Sequence, residues 1–218
     1  MSWLPLWISV KVAVVAAVIV IIIGVPLARL MARRSFPGKN IVEAIILLPM
    51  VLPPTVVGFG LLLLIGKNGP IGKFFALFGV NLVFTWKAAV LAAAIVSLPL
   101  LYQNVKGAFL QIDTRLEDVA RTLGAKESRI FFGISLPLAK PGLIAGIVLA
   151  FARALGEFGA TMMVAGNIPG LTQTIPLAIY FEVQAGDYRS ALGLVIIITI
   201  FSFAVIVWSN WWIRREKY

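Results

Sequence analysis

The sequence contains no cysteine and no histidine. Their absence excludes disulfide bonds, thiol nucleophiles, haem ligation through either residue and the usual zinc sites. Acidic residues are also scarce, since only nine Asp and Glu are present and they do not cluster along the chain. We therefore expect no catalytic residue, no metal site and no cofactor bound by this chain.

Charge is scarce as well, because 13% of the residues are charged whereas 61% are hydrophobic, and the mean hydropathy is +1.00. Soluble domains are about 25% charged and about 45–50% apolar, so the composition indicates a membrane protein surrounded by lipid. The net charge of +10 does not indicate a nucleic-acid partner. Its basic residues lie in short runs beside apolar stretches, which is how membrane topology is encoded.

The apolar runs predict an all-α integral membrane domain that occupies residues 1–218 and contains about five spanning helices. These spans are expected at about 6–28, 41–65, 83–102, 143–164 and 191–212. Thirteen of the 19 basic residues lie in residues 29–39, 106–140 and 214–217, which five spans place on one side of the membrane. The positive-inside rule then puts the N-terminus outside and the C-terminus in the cytoplasm of a multi-pass protein of the cell membrane.

The second predicted span contains Pro53 and Pro54, followed directly by Thr55. Proline removes a backbone donor, which a membrane helix tolerates only where neighbours or water satisfy the freed carbonyls. The segment is therefore either a structural kink or a broken helix that lines a pathway, and the residues favour the two interpretations about equally.

The fourth predicted span carries a pair of charged residues, Arg153 and Glu157. Their i, i+4 spacing places them on one helix face, and ionisable residues within a membrane usually face an interior or a cavity. We expect Glu157 to neutralise Arg153, and a structural or gating role for the pair is favoured over substrate binding.

The segment 113–137 concentrates eight charged residues in 25 positions of an otherwise apolar chain. Thr114 and Glu117 have the spacing of a capping box at a helix start. One apolar face follows, formed by Leu116, Val119, Ala120 and Leu123. Gly124 is placed to end the helix in a left-handed conformation, and a second short helix is expected over about 126–134, ended by Pro137.

The same segment carries a family resemblance. Asp118-Val119-Ala120, Gly124 and Ile134-x-Leu136-Pro137 resemble the cytoplasmic signature loop of ABC-importer permeases, whose pattern is Glu-Ala-Ala, three residues, Gly, nine residues, Ile-x-Leu-Pro. The spacing fits throughout; Asp118 and Val119 are conservative departures, and Glu117 offers an acidic group one position earlier. The resemblance implies an importer permease fold in which this loop docks on an ATPase subunit. The expected coupling residues are Leu116, Glu117, Asp118, Val119, Ala120, Arg121, Leu123, Gly124, Ile134, Leu136 and Pro137.

A second resemblance concerns the substrate. Residues 53–58, 156–161, 166–170 and 172–174 resemble oxyanion-importer permeases, most closely the molybdate type; tungstate permeases share much of the pattern and the sulfate branch less. For a tetrahedral dianion, desolvation is the main obstacle, so we expect weak neutral donors along the path. The expected pathway or gate residues are Pro53, Pro54, Thr55, Arg153, Glu157 and Thr161. The outer loop 165–189 is expected to meet a binding protein through Asn167, Thr172, Gln173, Tyr180 and Tyr188.

The resemblance implies several partners: a second copy of this chain, two ATP-binding cassette subunits that use ATP and Mg, and an external oxyanion-binding protein. No intact nucleotide-binding motif is present in this sequence, so the energy is expected to come from a partner. The alternatives are a sulfate-type permease and an ion-driven secondary transporter. A secondary transporter would usually show internal repeats and ionisable groups in several spans, and neither pattern is found.

Overall fold

Helices account for the regular structure that the computed structural model describes over residues 3–215, with side chains described for residues 3–207. This confirms the all-α prediction. The elements are α1 (Leu4–Arg33), α2 (Lys39–Val51), α3 (Pro54–Ile65), α4 (Pro70–Ala76), α5 (Trp86–Leu110), α6 (Thr114–Thr122), α7 (Glu127–Ile130), a π-helical turn (Phe131–Ser135), α8 (Leu136–Leu155), α9 (Gly159–Ala165), α10 (Ile175–Gln184) and α11 (Tyr188–Arg215).

Four helical segments are long and apolar enough to cross a membrane: α1, α5, the continuous stretch Glu127–Leu155, and α11 over Tyr188–Val207. The second predicted span, 41–65, is not one helix. It is divided into α2 and α3, whose axes are bent by 116° at the break. Pro53 immediately precedes α3 and Pro54 is its first residue, so the missing proline N–H groups coincide with the bend. Counted as one broken span, this pair brings the number to five.

The other predicted spans also differ from the structure in their ends. The helix expected over 83–102 runs on to Leu110. The span expected over 143–164 is interrupted, because α8 ends at Leu155 and α9 starts only at Gly159. Gly156 follows α8 directly as its C-cap, and this break removes the regular helix on which Arg153 and Glu157 were expected to share a face.

The core lies along α5, which packs against α1 on one side and α8 on another. Small residues make this close packing feasible, as is common between membrane helices. Ala13 and Ala16 of α1 and Ala88, Ala92 and Ala93 of α5 are all fully buried. The central three helices therefore form one tightly packed body on which the shorter elements are mounted.

The two ends of this bundle differ in character. At the end here called the loop end, α1 and α5 finish and α6 and α7 lie; Lys106 of α5 forms an ion pair there with Glu43 of α2. At the far end, the Ser9 hydroxyl accepts a hydrogen bond from the Ile175 N–H at 2.8 Å and ties α10 to α1. Asp187 accepts from the Ser190 N–H at 3.0 Å at the start of α11, which lowers the pKa of its carboxyl.

Candidate functional site

The start of α6 corrects one prediction. The capping residue is Asp113, whose carboxylate accepts a hydrogen bond from the Arg115 N–H at 3.0 Å, and Thr114 is already the first helical residue. Glu117 does not reach back to close a capping box. Its side chain instead turns into the protein and is only 2% exposed.

The end of α6 has the geometry that the sequence predicts. Gly124 adopts φ +81°, the left-handed conformation that glycine enters without steric strain. Its N–H bonds to the Arg121 carbonyl at 2.9 Å, and the Ala125 N–H reaches back to the Ala120 carbonyl at 3.0 Å. These two bonds satisfy carbonyls that a helix end would leave free, so the turn after α6 is sharply defined.

The apolar face of α6 points away from the protein. Leu116, Val119 and Leu123 are 49%, 58% and 82% exposed. They recur at i, i+3 and i+7, so they lie on one side of the helix, whereas Glu117 lies on another and is buried. These three exposed side chains form an apolar stripe on an otherwise polar loop. We call these three side chains the docking stripe.

Ion pairs tie α6 to the segment that follows it. The Arg121 guanidinium bonds to the Glu127 carboxylate at 2.6 Å and to the Asp118 carboxylate at 2.7 Å. The hydrogen bonds that Arg121 donates to Glu127, followed by the pairing with Asp118, raise the pKa of Arg121. All three side chains are well exposed, so these pairs orient α6 relative to α7 more than they stabilise the fold.

The second half of the loop also differs from the prediction. Pro137 does not end a short helix over 126–134, because α7, the π-helical turn and α8 form one continuous helical path. Pro137 is the second residue of α8 and directly follows the π-helical turn, so its missing N–H lies where the i→i−4 ladder is already interrupted. In the turn before it, the Leu136 N–H bonds to the Phe131 carbonyl five residues back. Ile134 therefore lies in the π-helical turn, and Leu136 is the first residue of α8. The loop leads directly into a spanning helix.

Glu117 is the centre of a buried polar cluster at the loop end. Its Oε1 accepts a hydrogen bond from Arg33 Nη2 at 3.1 Å and another from the Ser135 hydroxyl at 2.7 Å. Arg29 Nη1 lies 3.8 Å from the same oxygen, and Arg121 Nη2 lies 3.7 Å from Oε2. One carboxylate thus joins α6 to the end of α1 and to the π-helical turn.

The predicted pathway residues meet where two helices are broken. Glu157 lies in the gap between α8 and α9, where it pairs with Arg153 at 2.7 Å and accepts from the Ala160 N–H at 2.8 Å. Its side chain is 2% exposed, so the buried carboxylate is compensated by Arg153 and by the first turn of α9. We call this place, with the adjacent start of α3, the break junction.

The start of α3 lies directly against the start of α9. A Cβ added at Gly159 would lie 3.0 Å from Pro54 Cβ and 3.3 Å from the Thr55 nitrogen. A Cβ added at Gly58 would approach Ala160 Cα to 2.7 Å. A side chain at position 58 would therefore force α3 and α9 apart, whereas one at position 159 would require a shift of a few tenths of an ångström. Thr55 is exposed beside the break, whereas Thr161 is 1% exposed and points into the protein.

The residues predicted to meet a binding protein have unequal exposure. Tyr188 is 69% exposed and Tyr180 40%, while Asn167 and Gln173 are partly buried. Thr172 is fully buried. Its hydroxyl donates to the Gly166 carbonyl and accepts from the Ile168 N–H at 3.0 Å. The structure therefore gives the Thr172 side chain an internal role in shaping the outer loop instead of a contact with a partner.

This bundle, with its interrupted helices and its exposed docking stripe, has the features of a membrane component that works with other proteins. The family described as "Binding-protein-dependent transport system inner membrane component" matches residues 24–216. The chain belongs to this family and is a multi-pass inner-membrane permease component.

Several curated relatives cover nearly the whole chain. It is 46% identical over 203 residues to the putative molybdenum transport system permease protein YvgM of Bacillus subtilis (strain 168), which covers 93% of this chain and 89% of the relative. It is 43% identical over 215 residues to the molybdenum transport system permease protein ModB of Escherichia coli (strain K12), covering 98% and 94%. The sulfate transport system permease protein CysT of Salmonella typhimurium is 32% identical, covering 96% and 80%.

Solved structures show the same fold at low identity. A chain of the inward-facing MetNI methionine ABC transporter matches with a TM-score of 0.72 at 20% identity, covering 99% of both chains. A chain of a bacterial alginate ABC transporter in complex with an alginate pentasaccharide-bound periplasmic protein matches with a TM-score of 0.72 at 17% identity, covering 97% and 79%. These likenesses confirm the importer permease fold.

Sequence reasoning missed the arginines and the serine around Glu117. Arg29 and Arg33 belong to a basic run that membrane topology already explains, and Ser135 lies just after the short helix expected over about 126–134. Glu117 follows Arg33 by 84 positions. A pairing over that distance leaves no local pattern, so no signal within this single sequence indicates it.

Proposed function

We propose that this chain is the membrane-spanning subunit of an ATP-driven importer that carries molybdate or tungstate, delivered by an external binding protein. The relatives at 43% and 46% identity are named for molybdenum transport, and the sulfate relative is more distant at 32%. In this arrangement the chain itself binds no cofactor. A partner ATPase uses ATP and Mg, and the pathway lies between two copies of this chain.

The exposed docking stripe carries the part of the proposal that concerns the ATPase. Leu116, Val119 and Leu123 are exposed on a polar helix. Exposed apolar side chains on one face of a helix are unfavourable in water, and contact with another protein would remove that cost. Three such side chains on one face suit a groove in the partner, because a helix laid in a groove is held by anchors at this spacing. Closure of the ATPase would then push α6 and move the helices attached to it.

The topology fits the same proposal. The loop end carries Arg29, Arg33, Arg121 and Lys106, so it faces the cytoplasm under the positive-inside rule. The outer loop 165–189, with the exposed Tyr180 and Tyr188, then faces the external binding protein. The N-terminus lies outside and the C-terminus in the cytoplasm.

The break junction is the proposed gate. Broken helices at membrane depth are tolerated where they are buried in protein or line a water-filled cavity. The junction places the exposed Thr55 against Gly159, two residues after Glu157 of the Arg153–Glu157 pair. A strongly basic channel would bind a dianion too tightly to release it. The hydroxyl of Thr55 and an arginine already paired with Glu157 would bind it weakly, so that it can pass.

Two measurements test the proposal. Affinity-tagged permease should co-purify with an ATP-binding cassette subunit, and Leu123→Asp should break that association while leaving the permease in the membrane. Proteoliposomes that contain the purified complex should then take up radiolabelled molybdate or tungstate when the loaded binding protein is outside and ATP is inside. Uptake of sulfate alone would favour the sulfate-type alternative, and uptake driven by an ion gradient without ATPase would refute the proposal.

A further inference from the structure

We infer that Glu117 is a rigid joint that fastens the coupling helix α6 to the end of α1, so that the two helices move together during transport. The inference rests on the proposed function, since it concerns how a push on the docking stripe reaches the spanning helices. It assigns a positioning role to a residue that faces away from the docking stripe.

The first observation is the burial of the carboxylate. Glu117 is 2% exposed, and a carboxylate removed from water is tolerated only when it is closely paired and hydrogen-bonded. Both conditions hold here. Arg33 donates at 3.1 Å, the Ser135 hydroxyl donates at 2.7 Å, and Arg29 adds a second positive charge at 3.8 Å.

The second observation is that the partners of Glu117 are themselves fixed by other contacts. Arg33 Nη2 also donates to the Ile112 carbonyl at 3.4 Å, in the linker between α5 and α6. The Arg29 guanidinium lies over the Phe131 ring at 4.6 Å from its centroid and 5.9 Å from that of Phe109. The joint therefore includes α1, the end of α5, α6 and the π-helical turn.

These contacts have a mechanical consequence. Charged hydrogen bonds are short and directional, so they hold α6 in a set orientation on α1 better than apolar contacts alone. Ser135 connects the same carboxylate to the turn that leads without interruption into α8. Because α1 and α8 both pack on α5, a displacement of α6 is passed to all three central helices together.

The first test replaces Glu117 by its neutral isostere. Glu117→Gln removes the charge pairing with the arginines but leaves the docking stripe intact, so the ATPase should still co-purify and hydrolyse ATP at its basal rate. The oxyanion transported per ATP hydrolysed should fall roughly tenfold, within the range typical of coupling between sites. A merely structural residue would lower both rates together and leave this ratio unchanged.

Glu43→Gln is the matched control. Glu43 also pairs with a basic side chain at the loop end, but it lies on α2 and makes that pair with Lys106 of α5. Its neutral variant should keep the wild-type ratio of transport to hydrolysis. An unchanged ratio in Glu117→Gln, or an equal loss in both variants, would overturn the inference.

A second test applies even if Glu117→Gln folds poorly. The chain contains no cysteine, so the double variant Arg33→Cys/Glu117→Cys carries only the two introduced thiols, and a short bis-maleimide should join them. Transport should be weak before cross-linking and recover after it, because the covalent link replaces the joint. Transport that is blocked by the cross-link would show that α6 and α1 do not move together. If wild-type protein in the same preparation neither binds an ATPase nor transports an oxyanion, the proposed function itself fails.

Discussion

The substitution Gly58→Ala tests the contact on which the break junction depends. A Cβ at position 58 would lie 2.7 Å from Ala160 Cα and 2.8 Å from Met163 Cβ. Carbon atoms in contact normally lie about 3.5–4.0 Å apart, so α3 would have to move away from α9 by roughly 1 Å. Overpacking of this kind costs about 1–3 kcal/mol.

Gly60→Ala is the matched control, since it lies two residues later in α3 and has nothing within 4 Å of its added Cβ. Both substitutions gain about 1 kcal/mol of helix propensity, so the difference between the two variants isolates the cost of separating α3 from α9. For a chain of this length about 1 kcal/mol corresponds to roughly 2–4 °C in melting temperature.

The assay is thermal unfolding of each purified variant in detergent, followed by transport in proteoliposomes. Gly58→Ala should melt several degrees below Gly60→Ala and should transport poorly, because the residues of the proposed gate would no longer meet. A Gly58→Ala protein that melts at or above the temperature of Gly60→Ala would refute the reasoning, since the two helices would then not be in close contact.

Three further predictions concern Gly124, Arg153 and Ser2, of which Ser2 lies outside the residues that the structure describes. Gly124→Asp should leave the protein in the membrane but abolish stimulation of ATP hydrolysis by the loaded binding protein. The control is Gly38→Asp, at a glycine with φ +83° and equally open surroundings, which should retain that stimulation. Equal effects of the two substitutions would show that backbone strain alone is responsible. Arg153→Gln should reduce the yield of assembled complex, because an unpaired buried Glu157 costs about 3–5 kcal/mol. An assembled Arg153→Gln complex that transports a different anion would instead show a selectivity role. Ser2→Cys, in this cysteine-free chain, should react with an impermeant thiol reagent added to intact cells; labelling only after lysis would contradict the topology.

Features set by local pattern were predicted well. The docking stripe follows from apolar residues at helical spacing, and the left-handed Gly124 follows from its place at the end of that helix. Neither depends on distant parts of the chain. The direction in which the docking stripe faces does depend on distant parts of the chain, because it follows from the burial of Glu117 on another face of α6.

The break junction was predicted only in part. Pro53 and Pro54 indicated an interruption, but proline chemistry alone does not decide between a kink and a 116° bend. In the structure α3 also approaches α9 closely at Gly58 and Ala160, which are about a hundred positions apart, and no local pattern indicates such a contact. The interruption at Gly156 was missed because the apolar residues before Arg153 and after Glu157 together have the length of one span.

Glu117 shows why a correct motif spacing led to a wrong interpretation. Thr114-x-x-Glu117 fits a capping box, and the same spacing also fits a helix whose acidic residue pairs with a distant arginine. Asp113 is itself a good capping residue and occupies that role, which leaves Glu117 free to turn inward. The choice is decided by tertiary contacts with Arg33 and Ser135.

The most direct test of the whole account is reconstituted transport. Proteoliposomes should contain this chain with its co-purified ATPase, with the oxyanion-binding protein added outside and ATP enclosed, and radiolabelled molybdate, tungstate and sulfate offered in competition. The account predicts accumulation of molybdate or tungstate that stops when ATP, the ATPase or the binding protein is omitted. Accumulation that continues without the ATPase, or an assembled complex that accumulates none of the three anions, would contradict it.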